Sequence, residues 1–238
     1  MTYSPILAIG TAVFEISVAV WALSGPGRKP IIRTTSAILL LLAAYQIVEV
    51  LICSRAPVYG FMPQMAFIVV TWLPPLGLLL IAQLSPLQSH VNYAVSYFML
   101  AVALSIVIWI AVDDRFVSDS VCNIVYAKYA NPLLRFRIYS WFYWLGLFGM
   151  VALSALGVRN SADPGQQRLL KAVLIGSLGF IVPAVVVTQF VAPAEGALPS
   201  LMCHFALVLA IFLARLITIE RRSSIAGPLS ADRHKRAN

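Results

Sequence analysis

Three ionisable side chains lie inside long apolar stretches of this sequence, and their chemistry is the first thing to consider. Glu15, Glu49 and His204 each interrupt a run of mainly apolar residues. Ionisable groups are costly inside a bilayer and often mark proton, ion or substrate paths. A carboxylate beside an imidazole could relay a proton, bind a substrate or supply half of a metal site. A buried polar contact that fixes helix packing is the alternative.

Three cysteines offer a second kind of chemistry. Cys53 and Cys122 could form a disulfide, although Cys203 leaves the choice of partner open. Cysteine, histidine and glutamate are also ligand types that suit zinc or copper. However, the adjacent side chains of Cys203 and His204 would point about 100° apart on a helix of 3.6 residues per turn. We therefore predict a Cys53–Cys122 disulfide and no metal site.

Motifs of known enzymes are absent from the sequence. It contains no H-E-x-x-H or H-x-x-x-H pattern, no G-x-S-x-G elbow and no phosphate-binding glycine loop. His204 is the only histidine in the apolar segments, which excludes a bis-histidine haem, and residues 200–219 contain no lysine for a retinal Schiff base. We predict that the protein has no catalytic residues, no cofactor and no enzymatic activity.

The elements that must position these residues follow from the composition. The 238 residues are 61% hydrophobic and 11% charged, whereas soluble domains have roughly 45–50% apolar and about 25% charged residues. A soluble, disordered or disulfide-rich secreted protein is therefore excluded. A membrane-spanning helix needs about 20 mostly apolar residues. We predict an all-α fold with a transmembrane domain over residues 1–219, whose seven spans lie at about Pro5–Leu23, Ser36–Cys53, Gln64–Leu84, Tyr93–Val112, Ile138–Gly157, Leu170–Val191 and Ser200–Ile219.

The distribution of positive charge predicts the orientation of these spans. With the N-terminus outside, eleven of the 17 Lys and Arg residues lie on the cytoplasmic side and five on the outer side. Cytoplasmic loops normally carry this excess, so the prediction is N-terminus outside and C-terminus inside. No positive charge precedes the first span, and a basic run follows it, so we predict an uncleaved span rather than a signal peptide.

The loops and the tail suggest the partners. The net charge of +8 is accounted for largely by this asymmetry, so we predict contact with membrane lipid and not with nucleic acid. Residues 220–238 form a basic cytoplasmic tail that we predict to be disordered. The long outer loop, about Asp113–Arg137, precedes four aromatic residues that suit either an interfacial belt or a binding site: Tyr139, Trp141, Tyr143 and Trp144.

A short internal repeat indicates two related halves. The segments Ala56–Met65 and Ala192–Leu201 share Ala, Pro, Gly and Pro at equal spacing, offset by 136 residues, and place Gln64 opposite Ser200. Pro and Gly are also common in unrelated short turns. A parallel repeat of three, one and three helices would relate the halves by an axis along the membrane normal, as in some transporters. Candidate hinges inside the spans are Pro74, Pro75 and Pro183.

The sequence resembles two groups of membrane proteins. The topology and the Pro63-Gln64 pair resemble the SWEET and PQ-loop carriers, which implies seven helices and transport of a small solute. No second PQ pair occurs in the sequence. The segment Tyr45-Gln46-Ile47-Val48-Glu49 and the segment Trp72-Leu73-Pro74-Pro75 are similar to uncharacterised bacterial seven-helix membrane proteins. That likeness implies a bacterial cytoplasmic membrane but names no activity.

Three functions remain open on the sequence alone. A small-solute carrier would line a central path with Glu15, Glu49 and His204. A receptor-like sensor would bind a ligand on the outer side and signal through the inner loops. An accessory subunit of a larger membrane complex, or of an oligomer, would use the same residues for packing. The repeat and the helix-breaking prolines favour the carrier.

Overall fold

A computed structural model of the chain describes residues 4–54, 61–85, 90–113, 115–117, 119–122, 127–130, 133–190 and 198–236. It confirms an all-α fold, and seven of its helical segments are long and apolar enough to cross a membrane. The protein is thus an integral membrane protein. Its elements are α1 (Ile6–Leu23), α2 (Lys29–Cys53), α3 (Met62–Thr71), α4 (Leu73–Leu84), α5 (His90–Val112), β1 (Asp119–Cys122), β2 (Ala127–Ala130), α6 (Leu133–Asn160), α7 (Pro164–Phe190) and α8 (Leu198–Arg236).

Several helices extend beyond the apolar segments that the sequence defines. The helix α2 begins at Lys29 and carries a proline in its first turn, where the missing N–H has no intrahelical partner to lose. The helix α7 likewise begins at Pro164. Hydropathy marks where a helix enters lipid, whereas the helix itself continues into the polar region until a cap or a turn ends it.

The third span is divided at Trp72 into α3 and α4. Pro74 and Pro75 lie in the first turn of α4, and neither can donate the backbone hydrogen bond that would continue the helix. The Thr71 hydroxyl turns back to the Phe67 carbonyl oxygen at 2.6 Å. The break therefore lies at the proline pair that the sequence marked, close to the middle of the span.

Small residues bring neighbouring helices close together. A Cβ atom added at Gly146 of α6 would lie 2.5 Å from the Pro74 Cβ of α4. A Cβ atom at Gly176 of α7 would lie 2.9 Å from the Phe212 Cβ of α8. Membrane helices commonly use glycine in this way, because close backbone approach supplies the packing that lipid does not drive. The helices α7 and α8 form one of these tightly packed pairs.

The described residues between α5 and α6 (113, 115–117, 119–122 and 127–130), hereafter the cap, include two paired strands. Its strands β1 and β2 pair antiparallel, with Asp119 opposite Ala130 and Cys122 opposite Ala127. The cap contacts the C-terminal end of α2 and the N-terminal end of α8, so these ends lie together at the cap end of the bundle. At the opposite end, the turn between α1 and α2 contacts Glu220 of α8.

The disorder predicted for the tail from residue 220 stays a prediction, although its first two residues make specific contacts. The helix α8 continues without interruption to Arg236, and Glu220 and Arg221 form specific contacts with the first helix and the turn that follows it. Those contacts hold the residues that leave the membrane in the helical conformation. The predicted repeat segments lie mostly outside the described residues, at 56–60 and 192–197.

Candidate functional site

The Ser200 hydroxyl group is the centre of a buried polar network at the cap end. It donates a hydrogen bond to Oε2 of Glu49 at 2.6 Å. The Ser200 Oγ atom also accepts a hydrogen bond from the backbone N–H of Ala127, at 3.0 Å. All three residues are fully buried. One side chain of α8 thus joins the second helix to the first residue of β2 in the cap.

His204 lies one turn further along α8 and contacts the same residue. Its Nδ1 donates to the Ser200 carbonyl oxygen at 2.8 Å. Glu49 and His204 lie at comparable depths in their predicted spans, so the sequence predicts that the two side chains could meet. In the structure each of them hydrogen-bonds to Ser200, through the hydroxyl in one case and the carbonyl in the other. The predicted pair is therefore linked through Ser200, a residue of the predicted repeat.

The predicted disulfide between Cys53 and Cys122 is present and fastens the cap to α2. Because it uses Cys53, this thiol is not available as a metal ligand. A second attachment is made by Gln64 of α3, whose Nε2 donates to the Asp113 carbonyl oxygen at 3.0 Å. The Asp113 carboxylate in turn forms an ion pair with Arg135 of α6 at 2.9 Å. The cap is thus attached to α2, α3, α6 and α8.

An aromatic cluster fills the space beneath the cap. Phe67 is fully buried, and its ring meets the edges or faces of Phe116, Tyr129 and Tyr139 with centroid distances of 5.2–5.4 Å. Such edge-to-face pairs add about 0.5–1.5 kcal/mol each beyond area burial. The Tyr129 hydroxyl also lies 3.3 Å from the Tyr45 hydroxyl of α2. The cluster makes the cap part of the core.

The predicted aromatic belt divides into two groups. Tyr139 is buried in the cluster beneath the cap, whereas Trp141 is 77% exposed on the outside of α6. Tyr143 and Trp144 pack against the core at intermediate burial. Of these four residues, Trp141 therefore has the outward-facing position that an interfacial belt requires. The group divides because successive residues of a helix point in different directions.

Glu15 is also fully buried, and no hydrogen bond joins it to this network among the described residues. It lies on the buried face of α1 among small residues, with Ala12 and Ala19 on the same face. Neither of its carboxyl oxygens has a hydrogen-bond partner among the described residues. Burying a carboxyl group without a partner is costly. Packing alone gives no reason for a glutamate at this position.

Two cavities inside the described part of the bundle are small. One between α2, α4, α6, α7 and α8 encloses about 20 Å³ and is lined mainly by aliphatic side chains. Another beneath the cap encloses about 30 Å³ between Val70, Tyr139 and Met202. A single water needs at least about 10–15 Å³. Each cavity has room for one or two waters and not for a solute.

The candidate hinges differ from one another. Pro74 and Pro75 coincide with the break at Trp72, whereas Pro183 lies inside the continuous helix α7. Gly179, four residues before Pro183, packs closely against Val208 of α8. A neighbouring helix can thus support a proline without ending the helix that contains it.

A second polar cluster lies at the opposite end of the bundle. Glu220 of α8 accepts hydrogen bonds from the Arg28 guanidinium at 2.8 Å and from the Arg28 backbone N–H at 3.0 Å. The hydrogen bond with Glu220 raises the pKa of Arg28. The next residue, Arg221, lies 4.1 Å over the Trp21 ring and donates to the Trp21 carbonyl oxygen. The part of α8 around Glu220 and Arg221 is thereby held against the turn after α1.

No protein-family model matches the chain, and a search of curated proteins finds no match either.

Proposed function

We propose that the protein is a receptor-like sensor of the bacterial cytoplasmic membrane, with the cap as its outer, ligand-receiving part. The observation that carries this proposal is the Ser200 network, which joins the cap to the first turn of α8. Further along the same helix, Glu220 holds Arg28. Ser200 and Glu220 are 20 positions apart, about 30 Å along a helix, which equals the thickness of the hydrocarbon core.

The route from one end to the other is a single rigid element. A change in the cap that displaced Ala127 would alter the hydrogen bond to Ser200, and α8 would carry the displacement toward Glu220. The tight packing of α7 against α8 at Gly176 limits motion to small shifts of packed helices, a common form of transition between discrete states. A partner chain on the inner side would read the position of Glu220 and Arg221.

Hydrogen exchange of the full chain in nanodiscs tests this coupling. The Arg28 backbone N–H is a reporter, because its hydrogen bond is to Glu220. The substitution Ser200→Ala breaks the contact at the cap end, and we expect it to raise exchange in the peptide containing Arg28 by about threefold or more. Ser154→Ala removes an equally buried hydroxyl whose bonds are to its own helix and should leave exchange there unchanged.

The proposal would be wrong if Ser200→Ala raised exchange only in the cap and α2. A uniform rise in every helix would also contradict it, because that pattern is general destabilisation rather than transmission along α8. Peptides from α5 provide this internal comparison, since α5 carries neither end of the network.

A small-solute carrier is the second candidate, and the divided third span favours it. Discontinuous helices near mid-bilayer are a recurring feature of carriers, and the unpartnered Glu15 would be a group on the path. The small cavities described above mean that such a carrier must open to admit water. We propose the substitution Ala12→Cys in a Cys203→Ala background as its test, because Ala12 lies one turn before Glu15.

Labelling with a water-soluble maleimide, in vesicles of both orientations, separates the two functions. A carrier predicts reaction at Ala12→Cys, with Ser24→Cys as an exposed positive control at the end of the same helix. If the thiol at position 12 remains unreactive from both sides while the control reacts, the carrier candidate fails.

A further inference from the structure

A groove between α6 and α7 opens toward the lipid at the cap end of the bundle. It encloses about 630 Å³. Exposed apolar side chains form most of its surface, including Trp141 at 77%, Val182 at 51% and Val186 at 48% exposure. Trp144 and Phe148 stack on each other along its α6 side, with ring centroids 5.4 Å apart. The groove is thus large, apolar and accessible from the membrane.

Charge in this groove lies at its mouth. Among the residues that the structure describes, Arg137 is the one charged residue lining it, and Ser140 lies on the same side one turn further along α6. Arg135, two residues earlier, is paired with Asp113. Arg137 forms no ion pair or hydrogen bond within the part of the chain that the structure describes. Its guanidinium is therefore available for an anion at the edge of the bilayer.

The length of the groove matches one leaflet. Arg137 and Phe148 are eleven residues apart, which is about 16 Å along a helix. Half of the hydrocarbon core is about 15 Å. An acyl chain that begins at the level of Arg137 would therefore reach the depth of Phe148 near the bilayer centre.

We infer that this groove binds one anionic phospholipid, with the phosphate on Arg137 and an acyl chain against Trp144 and Phe148. Arginine is well suited to this role because its planar guanidinium forms two parallel hydrogen bonds with phosphate oxygens. The Ser140 hydroxyl is placed to donate to the glycerol ester region. This binding site is independent of the sensor function and of the carrier function.

Native mass spectrometry of the full chain in detergent micelles measures the binding directly. The probes are phosphatidylglycerol, diacylglycerol without a phosphate, and soluble glycerol phosphate without acyl chains. We expect phosphatidylglycerol to bind at least about tenfold more tightly than either of the other two. Tight binding of glycerol phosphate alone would overturn the inference, because the site would then recognise a free phosphate.

Two pairs of variants separate the headgroup from the chain. Arg137→Gln should weaken phosphatidylglycerol binding about tenfold, while Arg115→Gln, an exposed arginine of the cap outside the groove, should not. Val182→Trp should fill the groove and abolish binding, while Ile108→Trp on the exposed face of α5 should not. Each substitution is on the surface, so all four proteins should fold.

Equal affinity of Arg137→Gln and Arg115→Gln would overturn the inference. So would a dimer of the wild-type chain that carries no lipid and dissociates on Val182→Trp, because the groove would then be an interface between two copies.

Discussion

The substitution Ser200→Ala should destabilise the protein far more than the loss of one small hydroxyl group suggests. The Ser200 Oγ atom makes two hydrogen bonds that join three elements, one to the Glu49 carboxyl and one from the Ala127 N–H. An ordinary hydrogen bond contributes about 0.5–1.5 kcal/mol, and leaving a buried N–H unpaired costs about 1–3 kcal/mol. We therefore expect a loss of about 3 kcal/mol in the free energy of unfolding.

Thermal unfolding in detergent measures this effect. For a chain of 150–250 residues, 1 kcal/mol shifts Tm by about 2–4 °C, so 3 kcal/mol corresponds to a decrease of about 6–12 °C. Ser154→Ala is the matched control, because Ser154 is equally buried but donates to the Met150 carbonyl oxygen of its own helix. Its removal leaves the helical hydrogen bond of that carbonyl in place, and we expect a decrease of about 2 °C or less.

A double-mutant cycle with Glu49→Gln isolates the contact from the general effect of each substitution. Residues that hydrogen-bond directly show coupling energies of about 0.5–3 kcal/mol. The reasoning is refuted if Ser200→Ala and Ser154→Ala lower Tm equally. It is also refuted if the effects of Ser200→Ala and Glu49→Gln are additive within about 0.3 kcal/mol, since the two side chains would then not interact.

Three further substitutions test the packing and the cap. Gly146→Ala should lower the free energy of unfolding by about 1–3 kcal/mol, because the added Cβ would lie 2.5 Å from the rigid Pro74 ring and force α4 and α6 apart. Gly10→Ala is the control, because open space surrounds Gly10, and it should not destabilise the protein. Equal Tm values for the two variants would contradict this prediction. Gly27→Ala should lower the free energy of unfolding by about 1–3 kcal/mol, because Gly27 has φ +147°, a backbone conformation that strains residues with a side chain. A Tm within about 1 °C of wild type would refute this prediction. Cys122→Ser opens a loop of 69 residues and should lower the free energy of unfolding by about 4 kcal/mol through chain entropy. A reductant should lower the Tm of the wild type to that of the variant and leave the Tm of the variant unchanged. A wild-type Tm that the reductant does not change would refute this prediction.

The sequence predicts the spans of this fold because hydropathy is local. Each span is about 20 residues of apolar sequence, so its position can be read without knowing its neighbours. The proline pair at Pro74 and Pro75 likewise acts on the residues next to it, and the helix is divided at Trp72 as a result. The positions of Cys53 and Cys122 relative to the predicted spans are also local information, although Cys203 left the choice of disulfide partner open.

The contacts that define the candidate site depend on long-range partners and were largely missed. Arg28 and Glu220 are 192 positions apart. The positive charge of Arg28 was accounted for by the orientation of the spans, so the sequence offered no reason to look for an acidic partner. Ser200 has no unusual local sequence. The only signal was its position opposite Gln64 in the predicted repeat, and both residues hydrogen-bond to the segment between α5 and α6. A local sequence pattern does not predict which distant residues contact each other.

The spacing of the attachments of the cap has a consequence for biosynthesis. Cys53 and Cys122 are 69 positions apart, so their bond can form while the later helices are still being translated. Glu49 and Ser200 are 151 positions apart, so this contact must wait until the last helix emerges from the ribosome. A nascent chain arrested before residue 200 would therefore carry the covalent attachment without the hydrogen bond that completes it. Protease digestion of such arrested chains should cleave the cap, and release of the full-length chain should protect it.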